Sequence, residues 1–365
     1  MIDARFRKNI DIPLILATLL VAGLGILTLY SVSHDTPTRY YQKQIMFFVV
    51  GLFIMAGMAT IDYRRLPPFV RILYGTNLTL LLIVMKFVPK IKGAQRWIPL
   101  GSFQLQPSEF AKLIMIICLA VYLQRRLETI RQLPTLLGSL AYMGVPMLLI
   151  FKQPDLGTAL VLMAIWFGMT FIAGAQVKHL VALVVIGGVL FTGMWKFNIL
   201  KPYQKNRLSV FINPEWDPKD AGYHVIQSRI AVGSGQIWGK GLGLGTQAHG
   251  RFIPENHTDF IFTVIGEEGG FVFSTVLVVL YGGLLFRGAA TIAYAEDMLG
   301  KLIATGIVSM YAFHIVVNIG MTIGIMPIAG VPLPLFSYGG SSLLLNMAAI
   351  GLLLSIGMRR HQLVF

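Results

Sequence analysis

The stretch FIFTVIGEEGGFVFSTVLVVLYGGLLF, residues 260–286, decides the fold class. A helix needs about 20 mostly apolar residues to cross the ~30 Å hydrocarbon layer of a bilayer, and this run is long enough. Similar runs recur along the 365-residue chain, which is 55% hydrophobic and 13% charged, with a mean hydropathy of +0.71. Soluble domains carry about 25% charged residues. The sequence therefore predicts an all-α polytopic membrane protein, since helices satisfy their own backbone hydrogen bonds within lipid.

Working outward from this run, about ten spans can be placed along the chain. They are predicted at residues 12–32, 45–61, 70–88, 108–123, 136–151, 156–173, 179–197, 260–286, 302–325 and 341–358. The first is predicted to be a retained anchor rather than a signal peptide, because it is too long for a signal core and no small-residue cleavage site follows it. We find no linker and no internal repeat. We therefore expect a single domain, residues 1–365, with a large outer loop at about 198–259 between the seventh and eighth spans.

Basic residues indicate how these spans are oriented. An even number of spans puts both termini on one side, and Arg64, Arg65, Arg125, Arg126 and Arg287 all fall in loops on that side. Because short cytoplasmic loops are enriched in Lys and Arg, both termini are predicted to be cytoplasmic. The net charge of +14 is thus a topology signal, and we expect no nucleic acid partner.

Acidic side chains are concentrated just ahead of residues 260–286 and within that run, in a chain that has only 16 Asp and Glu residues. Acids placed against a bilayer segment are energetically costly, so Asp259 is a functional candidate. Glu255 and His257 either belong to the same site or simply cap and solvate the mouth of the helix. Glu267 and Glu268 lie about 12–14 Å deeper at ~1.5 Å per residue, and they are predicted to pack or to tie helices together.

Two outer loops carry more positive charge than this orientation predicts. Lys90, Lys92 and Arg96 lie in PKIKGAQRWIPLGSFQLQPSE, and the long segment 196–257 is also basic. Clustered cations at an outer membrane surface suit a phosphate-bearing lipid headgroup. Solvated loops would have the same composition, so both interpretations stay open.

The long outer segment contains a further predicted helix. HVIQSRIAVGSGQIWG (224–239) spaces its apolar residues like an amphipathic helix lying in the membrane interface, with Ile230 on the apolar side and Ser228 on the polar side. Its glycines do not form a nucleotide site, because GSGQIWGKG lacks P-loop spacing and Gly241 follows Lys240 where Ser or Thr is needed. They are expected to permit turns and close backbone approach.

Polar residues also occur within other predicted spans. Glu109 and Lys112 lie i, i+3 on one helix face and can form a local ion pair. Alternatively, a pair between Lys112 and Asp155 would tie two helices together. His314 and Asn318 share a face of the ninth span and are predicted to hydrogen-bond between helices.

The chain carries no recognisable cofactor motif. Its one cysteine, Cys118, lies in an apolar run and is predicted to be buried, so neither a disulfide framework nor a thiolate metal site is expected. We find no HExxH, no Cys/His metal spacing and no serine in a nucleophile elbow. The acidic and imidazole groups around Asp259 could supply metal ligands, but their irregular spacing is not diagnostic.

Five stretches together resemble one known family. They are RWIPLGSFQLQPSEFAK (96–112), KQPDLGTAL (152–160), NRLSVFINPEWDPKDAGYHVIQSRIAVGSGQIWGKGLG (206–243), PENHTDFIFTVIGEEGG (254–270) and PLPLFSYGGSS (332–342). On these motifs the chain is identified as a member of the SEDS family (shape, elongation, division and sporulation), the polytopic peptidoglycan polymerases that include RodA and FtsW, and the resemblance covers essentially the whole chain. The chain is more similar to RodA, the elongation member, than to FtsW, the division member, in its short start and in the stretches KQPDLGTAL and AGYHVIQS. The stretch PLPLFSYGGSS, however, also resembles FtsW.

The resemblance implies glycosyl transfer on the outer face of the plasma (inner) membrane, with lipid II, a disaccharide-pentapeptide on undecaprenyl diphosphate, as the substrate. It assigns the family's essential acid to Asp259. Substrate binding is expected at Arg96, Lys112, Lys240, Glu255 and His257, with Glu109 and Asp155 as further structural or functional polar positions. It also implies a class B penicillin-binding protein as partner, the transpeptidase that cross-links the glycan, together with other membrane proteins of the elongation complex.

The chemistry of these residues is compatible with that reaction. A carboxylate at the interface can act as general base on an acceptor hydroxyl, while Lys and Arg hold the leaving diphosphate. Single displacement predicts inversion at the anomeric carbon. No cofactor is required, although a divalent cation, Mg²⁺ or Mn²⁺, stays open as an aid to the diphosphate. A transporter that flips the lipid-linked precursor and a non-catalytic scaffold for the transpeptidase are the alternatives.

Overall fold

The computed structural model describes residues 9–33, 38–88, 95–100, 103–197, 202–217, 221–249 and 256–359. Most of the described chain is helical. The helices are α1 (Ile12–Ser33), α2 (Tyr40–Thr60), α3 (Val70–Phe87), α4 (Pro107–Gln124), α5 (Leu133–Lys152), α6 (Leu156–Ile172), α7 (Val177–Lys196), α8 (Pro202–Ile212), α9 (Ala221–Ser234), α10 (Thr246–His249), α11 (Ile261–Tyr294), α12 (Met298–Thr322) and α13 (Gly340–Met358). Short 3-10 turns lie at Tyr63–Arg65, Pro67–Phe69 and Pro214–Trp216, and a hairpin pairs β1 (Ile98–Leu100) with β2 (Phe103–Leu105) in antiparallel fashion.

The helices confirm the predicted all-α polytopic membrane fold. Within the described residues, nine helices are long and apolar enough to cross a membrane, and α6 is a shorter apolar helix beside them. Most predicted ends differ from the observed ones by a few residues. The largest difference is at the end of α11, which runs to Tyr294 instead of ending at residue 286. No proline lies between these two positions, so nothing there stops the helix.

The helices α4, α12 and α13 form the centre of the bundle. In these three, 67–78% of the most apolar stretch is buried, against 6% in α7. α2 packs on α13, α6 packs on α12, and α11 packs on both α1 and α12. Helices that are apolar on every side and largely exposed at the periphery are typical of a bundle surrounded by lipid.

Small residues permit close contacts in this bundle. A Cβ on Gly306 of α12 would lie 2.7 Å from the Ile116 side chain of α4, and a Cβ on Gly25 of α1 would lie 2.6 Å from the carbonyl oxygen of Phe336. In lipid, where apolar attraction between helices is absent, such close packing and interhelical hydrogen bonds hold helices together. Cys118 is buried in the same core, as predicted.

The two ends of the bundle differ in structure. We call the end that carries the long segment between α7 and α11 the loop end, and the end where α1 begins and α13 finishes the terminal end. The β1–β2 hairpin docks on the first turn of α13 at the loop end. The Gln106 amide donates to the Ser341 hydroxyl at 3.1 Å, and that hydroxyl donates to the Gln104 carbonyl at 3.1 Å.

A break in α11 fixes the course of the long segment. Gly270 has φ 64° and ψ −160°, which are not helical, and residues 235–241, which we call the strap, bond to the backbone on both sides of it. The bonds run from Lys240 N to Glu267 O (3.0 Å), Gly241 N to Glu268 O (3.0 Å), Phe271 N to Gln236 O (2.8 Å) and Val272 N to Ile237 O (3.1 Å). An unbroken helix would pair these same α11 groups with each other, i to i+4. The strap therefore satisfies the backbone groups that the break exposes.

Glycines allow the strap to approach this closely. A Cβ on Gly235 would collide with the carbonyl oxygen of Gly266, and a Cβ on Gly239 would collide with that of Glu268. Gly239 also has φ +78°, a conformation that side-chain-bearing residues rarely adopt. This is the close backbone approach predicted from the glycines of the outer segment.

The helix α9 confirms the predicted helix in the outer segment but not its apolar face. Val225, Ser228 and Ala231 are buried, and the Ser228 hydroxyl donates to the Thr322 carbonyl at 2.6 Å. Ile230, which the spacing assigned to the apolar side, is 47% exposed. The assignment of Ser228 to an outward polar face was wrong, because a small hydroxyl that hydrogen-bonds to a neighbouring helix can be buried at little cost.

Candidate functional site

Asp259 lies in a turn, residues 256–260, that leads directly into α11 at the loop end. Its Oδ2 atom lies 3.4 Å from the point that a Cβ on Gly330 would occupy, and an amino group of Arg207 lies 3.8 Å from the same point. Gly330 has φ +68°, a backbone conformation that favours glycine. The absent side chain leaves room for an acid and a guanidinium to lie close together.

Arg207 was not singled out from the sequence. It belongs to α8, and its Nη1 donates to the Ala329 carbonyl at 3.3 Å. Its position near Asp259 joins two segments that are far apart in the chain, so no local pattern could reveal it. The available signals were the general excess of positive charge in the outer segment and the place of Arg207 in the stretch 206–243, which resembles the family.

The turn that carries Asp259 is held by its backbone carbonyls. The Tyr338 amide donates to the His257 carbonyl at 2.9 Å, and the Ser337 hydroxyl donates to the Thr258 carbonyl at 2.7 Å. The Asn318 side-chain amide donates to the Asp259 carbonyl at 2.8 Å. Three consecutive carbonyls of the turn thus have donors on α12 or on the segment between α12 and α13.

His257 lies in an aromatic cluster beside Asp259. Its ring stacks on Tyr40, with centroids 4.3 Å apart and planes 6° apart, and Tyr338 packs against both rings at 4.7 Å and 5.9 Å. Burial, and to a smaller extent the neighbouring Tyr40, raise the pKa of the Tyr338 hydroxyl. The cluster joins the first residue of α2 to the Asp259 turn. Its three rings are each partly exposed.

Arg96 and Asp155 are brought together at the start of α6. The Arg96 Nε donates to the Gln153 carbonyl at 3.1 Å, and its Nη1 lies 3.9 Å from the Asp155 carboxylate. Asp155 also caps α6 by accepting from the Thr158 amide at 3.3 Å, and it accepts from the Ser108 hydroxyl at 3.2 Å. A carboxylate at a helix N-terminus is favoured both by the free amides and by the helix dipole.

This corner adjoins the Asp259 turn through a second glycine contact. A Cβ on Gly157, in the first turn of α6, would lie 2.6 Å from the carbonyl oxygen of Ala329. Ala329 immediately precedes Gly330, beside which Asp259 lies. The structure therefore gathers Asp155, Arg96, Arg207 and Asp259 around one short backbone segment at the loop end.

Lys112 forms a buried network beneath this segment. Its ammonium donates to Glu109 at 2.8 Å and lies 3.2 Å from His314 Nε2, and all three side chains are buried. His314 Nδ1 lies 2.9 Å from the Pro332 carbonyl. Since a carbonyl only accepts and an ammonium only donates, Nδ1 carries the hydrogen and Nε2 accepts from Lys112. One tautomer thus satisfies both contacts.

Of the two pairings considered for Lys112, the structure shows the local one with Glu109 and not the one with Asp155. Lys112 pairs with Glu109, one helical turn away on the same face, which was the local alternative. Asp155 instead receives Arg96, Ser108 and the Thr158 amide. The i, i+3 spacing within α4 brings Glu109 to Lys112 without any requirement on the packing of other helices.

His314 and Asn318 make the bonds between segments that their shared face predicts. His314 contacts Lys112 of α4 and the carbonyl of Pro332. Asn318 donates to the Asp259 and Val331 carbonyls at 2.8 and 2.7 Å. One face of α12 therefore supports both the Lys112 network and the Asp259 turn.

Lys240 belongs to the strap and pairs with Glu267, in the second turn of α11, instead of with Asp259. Its ammonium donates to Glu267 at 2.7 Å, and the Glu267 side chain is fully buried. Glu268 accepts from the Ser31 hydroxyl of α1 at 2.6 and 2.8 Å. These contacts tie α11 to the strap and to α1, as expected for residues that link helices.

Glu255, predicted to bind substrate, lies outside the described residues. Within the described ranges, no three His, Cys, Asp or Glu side chains form a group that could hold a metal ion. A divalent cation held jointly with a diphosphate stays a prediction.

A family model, curated relatives and a solved structure each match this chain over almost its whole length. The family model for cell cycle proteins of the FtsW, RodA and SpoVE type matches residues 12–362. The peptidoglycan glycosyltransferase RodA of Treponema pallidum is 36% identical, covering 97% of this chain and 98% of the relative. The peptidoglycan glycosyltransferase MrdB of Escherichia coli K12 is 37% identical over 98% and 96% of the two chains. A solved chain from a peptidoglycan synthase complex that coordinates polymerization and crosslinking superposes with a TM-score of 0.84, at 33% identity and with 97% and 99% coverage.

Proposed function

The chain belongs to the FtsW, RodA and SpoVE family of cell cycle proteins, and from that premise we propose that it polymerises lipid II into glycan strands with Asp259 as the general base. It is a multi-span membrane enzyme, a peptidoglycan glycosyltransferase. The observation that carries the assignment of the base is an acid beside a guanidinium, on a turn held by hydrogen bonds at the head of a membrane span.

The reaction exchanges one bond for another at the anomeric carbon of the donor sugar. The acceptor hydroxyl attacks that carbon, its proton passes to the Asp259 carboxylate, and the bond to the lipid diphosphate breaks with its electrons leaving on the phosphate oxygen. A single displacement inverts the anomeric centre. The base must lie within hydrogen-bond reach of the acceptor hydroxyl, and the partial exposure of Asp259 permits such an approach.

Cations around the turn suit the charge that develops on the diphosphate. Arg207 and Arg96 both lie at this corner of the loop end, and a guanidinium can hold two phosphate oxygens at once. Lys112 is buried beneath it and already donates to Glu109 and His314. Its role is therefore to set the electrostatic environment of the site, in which fixed charges stabilise a transition state more strongly than in water.

The proposal also includes the side of the membrane on which the site lies, the partner protein and the cellular role. We place the loop end on the outer side of the plasma (inner) membrane and both termini in the cytoplasm, because the basic loops cluster at the terminal end. A class B penicillin-binding protein is the proposed partner, and the similarity to a chain from a polymerizing and crosslinking synthase complex supports that choice. The proposed role in cell elongation rests on KQPDLGTAL (152–160) and AGYHVIQS (221–228), which are more similar to RodA than to FtsW.

The test uses the purified full chain with lipid II in detergent. We expect long glycan strands from the wild type and none from Asp259→Ala or Asp259→Asn, since neither replacement can accept the proton. Thermal unfolding of each variant controls for folding. Equal polymerisation by wild type and Asp259→Asn would overturn the assignment of the base. Translocation of lipid II by the chain in sealed proteoliposomes, with no polymerisation in detergent, would favour a flippase. A trapped glycosyl-enzyme adduct would exclude single displacement.

A further inference from the structure

The two side chains that hold the Asp259 turn converge on it from different elements. The amide of Asn318, on α12, donates to the Asp259 carbonyl at 2.8 Å and to the Val331 carbonyl at 2.7 Å. The Ser337 hydroxyl donates to the Thr258 carbonyl at 2.7 Å and accepts from the Leu333 amide at 2.8 Å. Each side chain therefore bridges the turn and the segment between α12 and α13.

Both bridging side chains are buried. Asn318 is 0% and Ser337 is 4% exposed, whereas the turn residues Thr258 and Asp259 are partly exposed. A turn carbonyl that loses its buried donor has no partner in its present position, and that cost falls on the backbone of the turn. The turn would then shift to recover a partner, and the Asp259 carboxylate would move with it.

The bridges are themselves anchored to α2. The side-chain amide of Gln44 donates to the Ser337 carbonyl at 3.0 Å, and its side-chain oxygen accepts from the Gly339 amide at 3.3 Å. Gln44 is buried in turn. The position of the turn is thus set by α2, α12 and the segment before α13, and not by the head of α11 alone.

We propose that Asn318 and Ser337 are positioning residues that hold the Asp259 carboxylate at the geometry required for proton transfer. This inference rests on the proposed function of Asp259. Neither side chain needs to touch substrate, because each acts on the backbone that carries the acid. A misplacement of about 1 Å in a reacting group can lower a rate by ~100-fold. The loss should therefore appear in kcat and not in substrate binding.

The experiment compares matched serine variants. Ser337→Ala removes the bridge, Ser337→Thr keeps the hydroxyl, and Ser337→Cys keeps the size but weakens the donor. The control is Ser355→Ala, because Ser355 is also fully buried, donates to the Ile61 carbonyl at 2.6 Å and accepts from Arg359 at 2.6 Å. It lies on α13 at the terminal end, away from the site. Asn318→Leu tests the second bridge independently.

Initial rates of lipid II polymerisation by the full chain in detergent give kcat and KM for each variant. We expect Ser337→Ala and Asn318→Leu to lower kcat by about 10-fold to 100-fold, with KM within about twofold of the wild-type value. Ser337→Thr, which keeps the hydroxyl, should have a kcat near the wild-type value. The kcat of Ser337→Cys should lie between those of Ser337→Ala and the wild type. Ser355→Ala should keep wild-type kcat. Melting temperatures identify any variant that fails to fold.

The outcomes separate this inference from the proposed function. If Asp259→Asn abolishes polymerisation while Ser337→Ala and Asn318→Leu keep wild-type kcat, Asp259 remains the base and the positioning role is wrong. If Ser337→Ala and Ser355→Ala lose equal activity, the effect is a general loss of stability and the inference is again overturned. If Asp259→Asn polymerises normally, the proposed base is wrong and the positioning role falls with it.

Discussion

At the scale of single residues, the buried charged side chains among the described residues have specific partners. Glu267 is fully buried, and one of its oxygens accepts from Lys240 at 2.7 Å, the Gln247 amide at 3.0 Å and the Thr246 hydroxyl at 3.1 Å. A buried carboxylate without such donors would be strongly disfavoured. Lys240 therefore has a structural role whether or not it also binds substrate.

Removal of Lys240 should show how strongly the stability of the fold depends on a counter-charge for the buried Glu267. Lys240→Met leaves Glu267 without its counter-charge, so we expect a loss of about 3 kcal/mol in the free energy of unfolding. The double variant Lys240→Met/Glu267→Gln should recover most of the loss, because the neutral amide needs no counter-charge. Denaturant unfolding in detergent measures both. Wild-type stability of Lys240→Met, combined with a raised KM for lipid II, would instead assign Lys240 to substrate binding alone.

Individual residues also show what can be inferred from local sequence. Asp259 became a candidate because an acid at the head of an apolar run is costly, and this cost is visible locally. Glu109 and Lys112 were correctly given a local pair, since i, i+3 spacing fixes it. The position of Arg207 near Asp259 was missed, and a pair between Lys112 and Asp155 was considered as an alternative. Neither contact can be decided locally, because both depend on how distant helices pack.

At the scale of elements, the broken helix α11 and the strap form one unit. The break at Gly270 exposes carbonyls and amides, and the strap binds them through four backbone hydrogen bonds. The long segment between α7 and α11 is thereby fastened to the helix that starts at the Asp259 turn. Its glycines were predicted to allow close approach, but the sequence could not identify the helix that they approach.

Gly239→Ala should separate this contact from simple backbone strain. Gly239 and Gly243 both have φ +78°, but a Cβ on Gly239 would collide with the Glu268 carbonyl, whereas a Cβ on Gly243 would meet nothing within 4 Å. We expect Gly243→Ala to cost about 1 kcal/mol of unfolding free energy, from the left-handed conformation alone. Gly239→Ala should cost more than about 3 kcal/mol, because backbone must move. Equal losses would show that the strap tolerates a side chain.

At the scale of the whole molecule, the two ends of the bundle are held by different means. The loop end is fastened by backbone bonds and buried polar side chains around Asp259 and the strap. The terminal end carries ion pairs at its surface, such as Arg287 with Asp11 at 2.8 Å and Arg64 with Asp297 at 3.2 Å. The more exposed of these two pairs, Arg64 with Asp297, contributes about 1 kcal/mol or less. The proposed orientation of the chain rests on the basic residues at this end.

Labelling from one side of the membrane tests that orientation. Cys118 is fully buried, so a Cys118→Ala background with one new cysteine gives a clean signal. Trp216→Cys, at the loop end where Trp216 is 63% exposed, should react with a membrane-impermeant maleimide in intact cells. Thr129→Cys, exposed at the terminal end, should react only after permeabilisation. The reverse pattern would place the loop end in the cytoplasm and contradict an outer-face site.

The sequence by itself determined the fold class, the approximate ends of most spans, and the presence of an acid at the head of α11. These follow from local chemistry, because lipid selects each apolar run of sufficient length on its own. Only the tertiary structure decided that Arg207 lies beside Asp259, that Asn318 and Ser337 hold its turn, and that the strap completes a broken helix. Such contacts join distant segments, and they depend on the close packing of every helix between them.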